Sequence, residues 1–158
     1  MNCVAKSSVT TWPLRTLLAW LLVCPWPAHG AELTIAEISE LDFGSVVDRS
    51  GNVSVGLNND VIFDPFNIHV GNPVTTGIFH ITGDPFSTFS ISVIGSTISG
   101  LSIGSFNTSE GSPPVLNASL NALGQLDLRL GADVTVNSAQ ATPGLNQPLL
   151  FTIIMNYN

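Results

Sequence analysis

From Leu149 to Asn158 the chain reads LLFTIIMNYN: the odd positions Leu149, Phe151, Ile153, Met155 and Tyr157 are large and apolar, and the even positions are mixed. Period-two alternation predicts a β-strand with one buried face. Side chains of this size stabilise a fold by roughly 1.5–3 kcal/mol each when buried, so together they rival the ~5–15 kcal/mol net stability of a whole domain. The segment is therefore expected to close the core rather than trail from it.

Upstream, short alternating runs are separated by Gly, Pro, Asn and Asp, and none has sustained helical spacing, which predicts an all-β domain. Leu33 to Ile38 reads as a first, imperfect strand, followed by the run Leu41 to Val47. Gly51 to Leu57 alternates through Val53, Val55 and Leu57, and Asn58-Asn59-Asp60 turns the chain. Between Val61 and Val74, Pro65 and Pro73 limit any ladder, so an edge segment or a crossover is expected. Gly77–Thr82, with Phe79 and Ile81 on one face, and Ser87–Ile94, with Phe89, Ile91 and Val93, are expected to form a hairpin. Residues 95–114 predict a strand around Leu101–Phe106 and then a surface loop. Gly124–Val136 predicts two strands about a Gly131-Ala132-Asp133 turn, and 137–148 a loop. The sum is a β-sandwich of about eight or nine strands, with no internal repeat.

The amino terminus differs from the rest. Basic Lys6 and Arg15, an apolar run from Leu17 to Val23, Pro25 and Pro27, and finally Ala28-His29-Gly30 predict a signal peptide over residues 1–30, cleaved after Gly30. The run is shorter than the ~20 residues of a membrane-spanning helix. An alternative reading makes Leu21-Leu22-Val23-Cys24 a lipid-attachment box, with Cys24 acylated. Export to the periplasm, cell surface or medium follows from either. Without residues 1–30, a single domain remains over 31–158, with no cysteine, tryptophan or lysine. Its fixed cations, Arg49 and Arg129, stand against eleven carboxylates, a net charge of −9. Nucleic-acid binding is excluded, because phosphate neutralisation needs clustered Lys and Arg.

Candidate chemistry is sparse, and no enzyme, cofactor or metal centre is expected. His80 falls opposite the Phe79 and Ile81 face, and His69 has no GxSxG serine or HExxH spacing around it. Asn58, Asn59, Asp60 and Asp64 offer oxygens suited to Ca²⁺, but their spacing fits no EF-hand and turn formation accounts for them.

Gly144 stands 14 residues before the end and Tyr157 is penultimate. A glycine and an aromatic bracketing an alternating strand in this way resemble the carboxy-terminal signature of chaperone–usher pilins. That resemblance implies an immunoglobulin-like antiparallel sandwich whose last strand is grasped by a periplasmic chaperone. The strand later borders a groove filled by a neighbouring subunit's extension, by β-strand addition. The whole chain after the leader is also similar to domain of unknown function 4402, a bacterial secreted family related in pattern to pilin-like and spore-coat-U-like proteins. The matching residues are Leu41-Asp42-Phe43-Gly44, Gly77-x-Phe79-x-Ile81-Thr82-Gly83-x-Pro85, Phe89-Ser90-Ile91-Ser92, Leu130-Gly131-Ala132-Asp133-Val134-Thr135-Val136 and Asn156-Tyr157-Asn158.

Two departures qualify the expectation. Leu145 and Gln147 stand where the family tends to carry an aromatic and a second glycine, and Pro148 follows. Cleavage after Gly30 leaves only Ala31–Glu40 ahead of the Leu-Asp-Phe-Gly motif. At ~3.3 Å per residue that makes one strand, not a donor arm and a strand. The functional expectation is a non-enzymatic, pilin-like structural subunit of a surface fibre, with a chaperone, an usher and neighbouring subunits as partners. The alternative is a stand-alone binding module for glycan or another surface ligand, using loops 58–76 and 95–118.

Overall fold

Runs with one apolar face bury that face most simply against a second sheet, and this chain does so. The computed structural model describes residues 30–142, 144 and 147–158. The expected leader, up to residue 29, and Leu145 lie outside the described residues. Ten strands and no helix are present among the described residues: β1 (Thr34–Ser39), β2 (Gly51–Val55), β3 (Val61–Phe63), β4 (Gly77–Thr82), β5 (Thr88–Gly95), β6 (Thr97–Ile98), β7 (Leu101–Thr108), β8 (Val115–Ser119), β9 (Gln125–Val136) and β10 (Phe151–Tyr157). They form two antiparallel sheets. One has seven strands in the order β1-β4-β9-β2-β3, with β7 also on β9 and β6 on β7; the other has three, in the order β10-β5-β8.

The core lies between the sheets. Phe79 and Ile81 of β4, Val53 and Val55 of β2, and Leu128, Leu130, Ala132, Val134 and Val136 of β9 meet Phe89 and Ile91 of β5 and Ala118 of β8. Leu41, Phe43, Ile68 and Val74 plug it from loops.

Several expectations are corrected. The run Leu41–Val47 makes only isolated bridges, Asp42 with Thr75 and Val46 with His69. Gly44, at φ +66°, turns the backbone there, and its N–H donates to Asp42 Oδ1 at 2.8 Å. The expected turn at Gly131-Ala132-Asp133 is instead the middle of one strand of 12 residues. Inward positions keep one phase from Leu126 to Val136, and Gly131 is there because a Cβ would strike the carbonyl of Val55 on neighbouring β2. The expected hairpin of β4 and β5 does not form: β4 pairs with β1 and β9, β5 with β10 and β8. Pro85 has no N–H for a ladder, and Phe86 takes φ +59°. The chain therefore arches between sheets, and the apolar faces of β4 and β5 bury each other across the core. Finally, the stretch 95–118 is mostly strand: β6 and β7 make a hairpin and β8 follows. It is not a long polar loop.

Candidate functional site

β10 is the edge strand of the smaller sheet, and its register with β5 is unbroken from Phe151 opposite Gly95 to Tyr157 opposite Phe89. The next pair in that register is bonded, Asn158 N–H donating to Thr88 O at 3.1 Å. Antiparallel ladders bond every second pair. Thus Thr152, Ile154 and Asn156 turn their peptide groups to β5, while Phe151, Ile153, Met155 and Tyr157 turn theirs away. No strand takes up those outward groups among the described residues.

The same four residues carry the inward side chains. Phe151, Ile153 and Met155 are half-buried and pack on the core from its rim. Phe151 makes an edge-to-face contact with Phe79, with centroids 5.9 Å apart, and a tilted one with Phe106 at 5.8 Å. Thr152 and Asn156 are exposed, as is Ile154 at 40%. The strand begins at Phe151; Leu149 precedes it, half-buried, and Tyr157 is 39% exposed. The terminal segment thus sits at the rim of the core, not in its centre, and among the described residues one backbone edge is open.

Tyr157 is held by its hydroxyl, which accepts from Asp84 N–H at 2.9 Å and donates to Ala31 O at 2.8 Å. Gly83 makes room for it: a Cβ there would collide with the Tyr157 hydroxyl and crowd Leu120 and Leu33. The other motif residues serve the frame. Gly77 lies against Phe79, Leu41 and Leu130, and so joins the Leu41 motif to the Phe79–Phe151 contact. Leu41 and Phe43 are buried, Pro85 is exposed, and Gly44 and Gly131 serve close backbone approaches away from β10. Gly144 is exposed at φ +76° with open space about it.

The polar side chains singled out from the sequence are bonded within the fold. His80 Nδ1 lies 2.6 Å from Asp127 Oδ1 on the outer face of β4 and β9. His69 Nε2 lies 3.0 Å from Asn72 O. Asp64 Oδ1 and Oδ2 accept from the amides of Ile68 and His69 at 2.9 and 3.0 Å. Asn59 Oδ1 accepts from Thr76 N–H at 2.8 Å, and Asp60 Oδ1 from Asn58 N–H at 3.4 Å. These oxygens shape turns. Among the described residues no cluster of three or more His, Cys, Asp or Glu is placed to hold a metal. No helix there is long and apolar enough to cross a membrane. An open cleft of about 440 Å³ between β5 and β7, lined by Val93, Ser105, Phe106, Asn107, Ser112 and Pro113, has no charged group in its wall.

The model of a family described as Domain of unknown function (DUF4402) matches residues 33–157. The chain belongs to this family. The match starts one residue before β1 and ends on the last residue of β10, so the open-edged strand is an integral part of the DUF4402 domain. No curated protein and no solved structure matches the chain. What sequence reasoning missed in this DUF4402 domain is the tie of Tyr157 to Asp84 and Ala31. Its only signal was Asp84 in the Gly83-Asp84-Pro85 stretch, which the sequence marks simply as the end of a strand.

Proposed function

We propose that this DUF4402 protein is an exported, non-enzymatic, pilin-like subunit of a surface assembly, joined to its neighbour by a β-strand added along β10. The observation that carries the reading is the open edge: Phe151, Ile153, Met155 and Tyr157 present their peptide groups outward while their side chains reach a half-covered core. An added strand of alternating apolar residues satisfies both. Each new backbone hydrogen bond is worth about 0.5–1.5 kcal/mol net, and covering the apolar row adds about 25 cal/mol per Å². The strand order supports an immunoglobulin-like sandwich lacking its final edge strand. A periplasmic chaperone fills the edge first, an outer-membrane usher exchanges it, and a neighbouring subunit takes it over. Thr34–Ser39 are already engaged with β4 as β1. After cleavage at Gly30 only Ala31–Leu33 precede that strand, so the subunit accepts a strand and donates none, a terminal or capping position.

Hydrogen exchange in the purified exported protein, with and without its assembly partners, tests the reading. The amides of Thr152, Ile154 and Asn156 are expected to be protected throughout, and those of Ile153, Met155 and Tyr157 only on assembly. Ile153→Asp, which places a carboxylate under the incoming strand, is expected to abolish surface assembly seen by immunoelectron microscopy. A soluble monomer that melts cooperatively alone, with all β10 amides equally protected, would overturn the proposal.

A further inference from the structure

Two groups converge on Ala31 and are bonded to each other. Its N–H donates to Asp84 Oδ1 at 2.7 Å, its carbonyl accepts from the Tyr157 hydroxyl at 2.8 Å, and that hydroxyl accepts from Asp84 N–H at 2.9 Å. Gly30 stands against the other oxygen of the same carboxylate: a Cβ on Gly30 would lie 2.6 Å from Asp84 Oδ2. The carboxylate thus faces the peptide bond that the leader reading marks for cleavage. One amide N–H uses only part of the acceptor capacity of a carboxylate.

We propose that the Asp84 carboxylate and the Tyr157 hydroxyl form a receptor for the new amino terminus created by leader removal, so that processing clasps the start of the domain to the end of β10. Hydrolysis of the Gly30–Ala31 bond consumes one water. Its oxygen goes to the Gly30 carboxylate, and the Ala31 nitrogen becomes an amine that is protonated at neutral pH. In place of one neutral donor the site then holds an ammonium with three, opposite a full negative charge, and charge-assisted bonds of this kind are roughly twice as strong as neutral ones. The departure of Gly30 also frees the side of Asp84 Oδ2. Tyr157 holds the Ala31 carbonyl, which aims the amine at Asp84 and ties it to the terminal strand.

The inference rests on the export reading, and the composition makes both separately testable. Lys6 is the only lysine and lies in the leader, so the processed chain carries its α-amine as its sole primary amine. The intact mass of the exported protein is expected to begin at Ala31. Acetylation of the folded protein by an N-hydroxysuccinimide ester, followed as a single mass step, is expected to be about fivefold slower than in Asp84→Asn. It should also be slower than in Tyr157→Phe. Because Asp84 lies in the turn to β5, where its carbonyl accepts from Ser87 N–H and Oγ, an additional variant leaves it unaltered: one alanine inserted between Gly30 and Ala31 moves the amine out of register and should release it. A chain that begins at Ala31 but acetylates equally fast in wild type and variants would overturn the clasp and leave export standing. A chain beginning elsewhere, at an acylated Cys24 or still carrying its leader, would overturn the clasp together with the cleavage reading on which it depends.

Discussion

At the scale of single residues, polar groups in this domain shape backbone. Asp64 is the clearest case. Desolvation pushes its carboxyl up, but the amides of Ile68 and His69, the charge of His69 and the amide of Phe66 pull it further down, below the ordinary 3.8. A carboxyl depressed by folding contributes stability that is fully present above the unfolded value and is lost as pH falls through the folded one. The urea midpoint of the folded protein should therefore drop as the pH is lowered below about 3.8, and Asp64→Asn should flatten that dependence while leaving other carboxylates to titrate. A wild-type slope unchanged in the variant would count against this role. The turn duty of Asp64, Asn59 and Asp60 was legible in the sequence, because short polar side chains spaced for backbone amides form turns. Asp84 was not, because its partners lie 53 and 73 residues away.

At the scale of elements, β10 has two chemically distinct edges. Proline at Asn156 would remove an N–H bonded to β5, whereas proline at Met155 would remove one that points to the open edge. Asn156→Pro is expected to lower stability by ~3 kcal/mol or more, read as a fall in the denaturation midpoint. Met155→Pro should cost clearly less in the isolated domain and yet block strand addition. Equal losses would mean that the two edges are equally engaged. The alternation of β10 told which side chains turn inward. That its strand lies at an edge was implied by the resemblance to pilins and not by the local pattern, since nothing local distinguishes a paired backbone from a free one. β9 teaches the converse lesson: its unbroken even-numbered apolar phase was in the sequence, and glycine at 131 was misread as a turn. Its cause is the approach of β2, a contact between residues 76 positions apart.

At the scale of the molecule, the two sheets are unequal, seven strands against three, and the smaller one leaves part of the core at its rim. A strand supplied in cis along the open edge of β10 tests the proposal at this scale. A turn and an alternating apolar segment fused after Asn158 would run antiparallel to β10 along its open edge. The fusion is expected to raise the melting temperature by about 10 °C, corresponding to roughly 3 kcal/mol. A fused segment that stays exposed and leaves the melting temperature unchanged would show that the edge accepts no strand.

What the sequence by itself determined is the class of fold and the faces of its strands: period-two alternation states which side chains leave water, and Gly, Pro, Asn and Asp state where strands stop. Tertiary structure decided the partners: that β4 and β5 stack instead of pairing, that β9 is continuous, that β10 lies at an edge, and that Ala31 meets Asp84 and Tyr157. The reason is physical. Burial is written in side chains, which differ from residue to residue, whereas strand pairing is made by peptide groups that are nearly identical along the chain, so neighbours are chosen only when the faces of all strands are buried together.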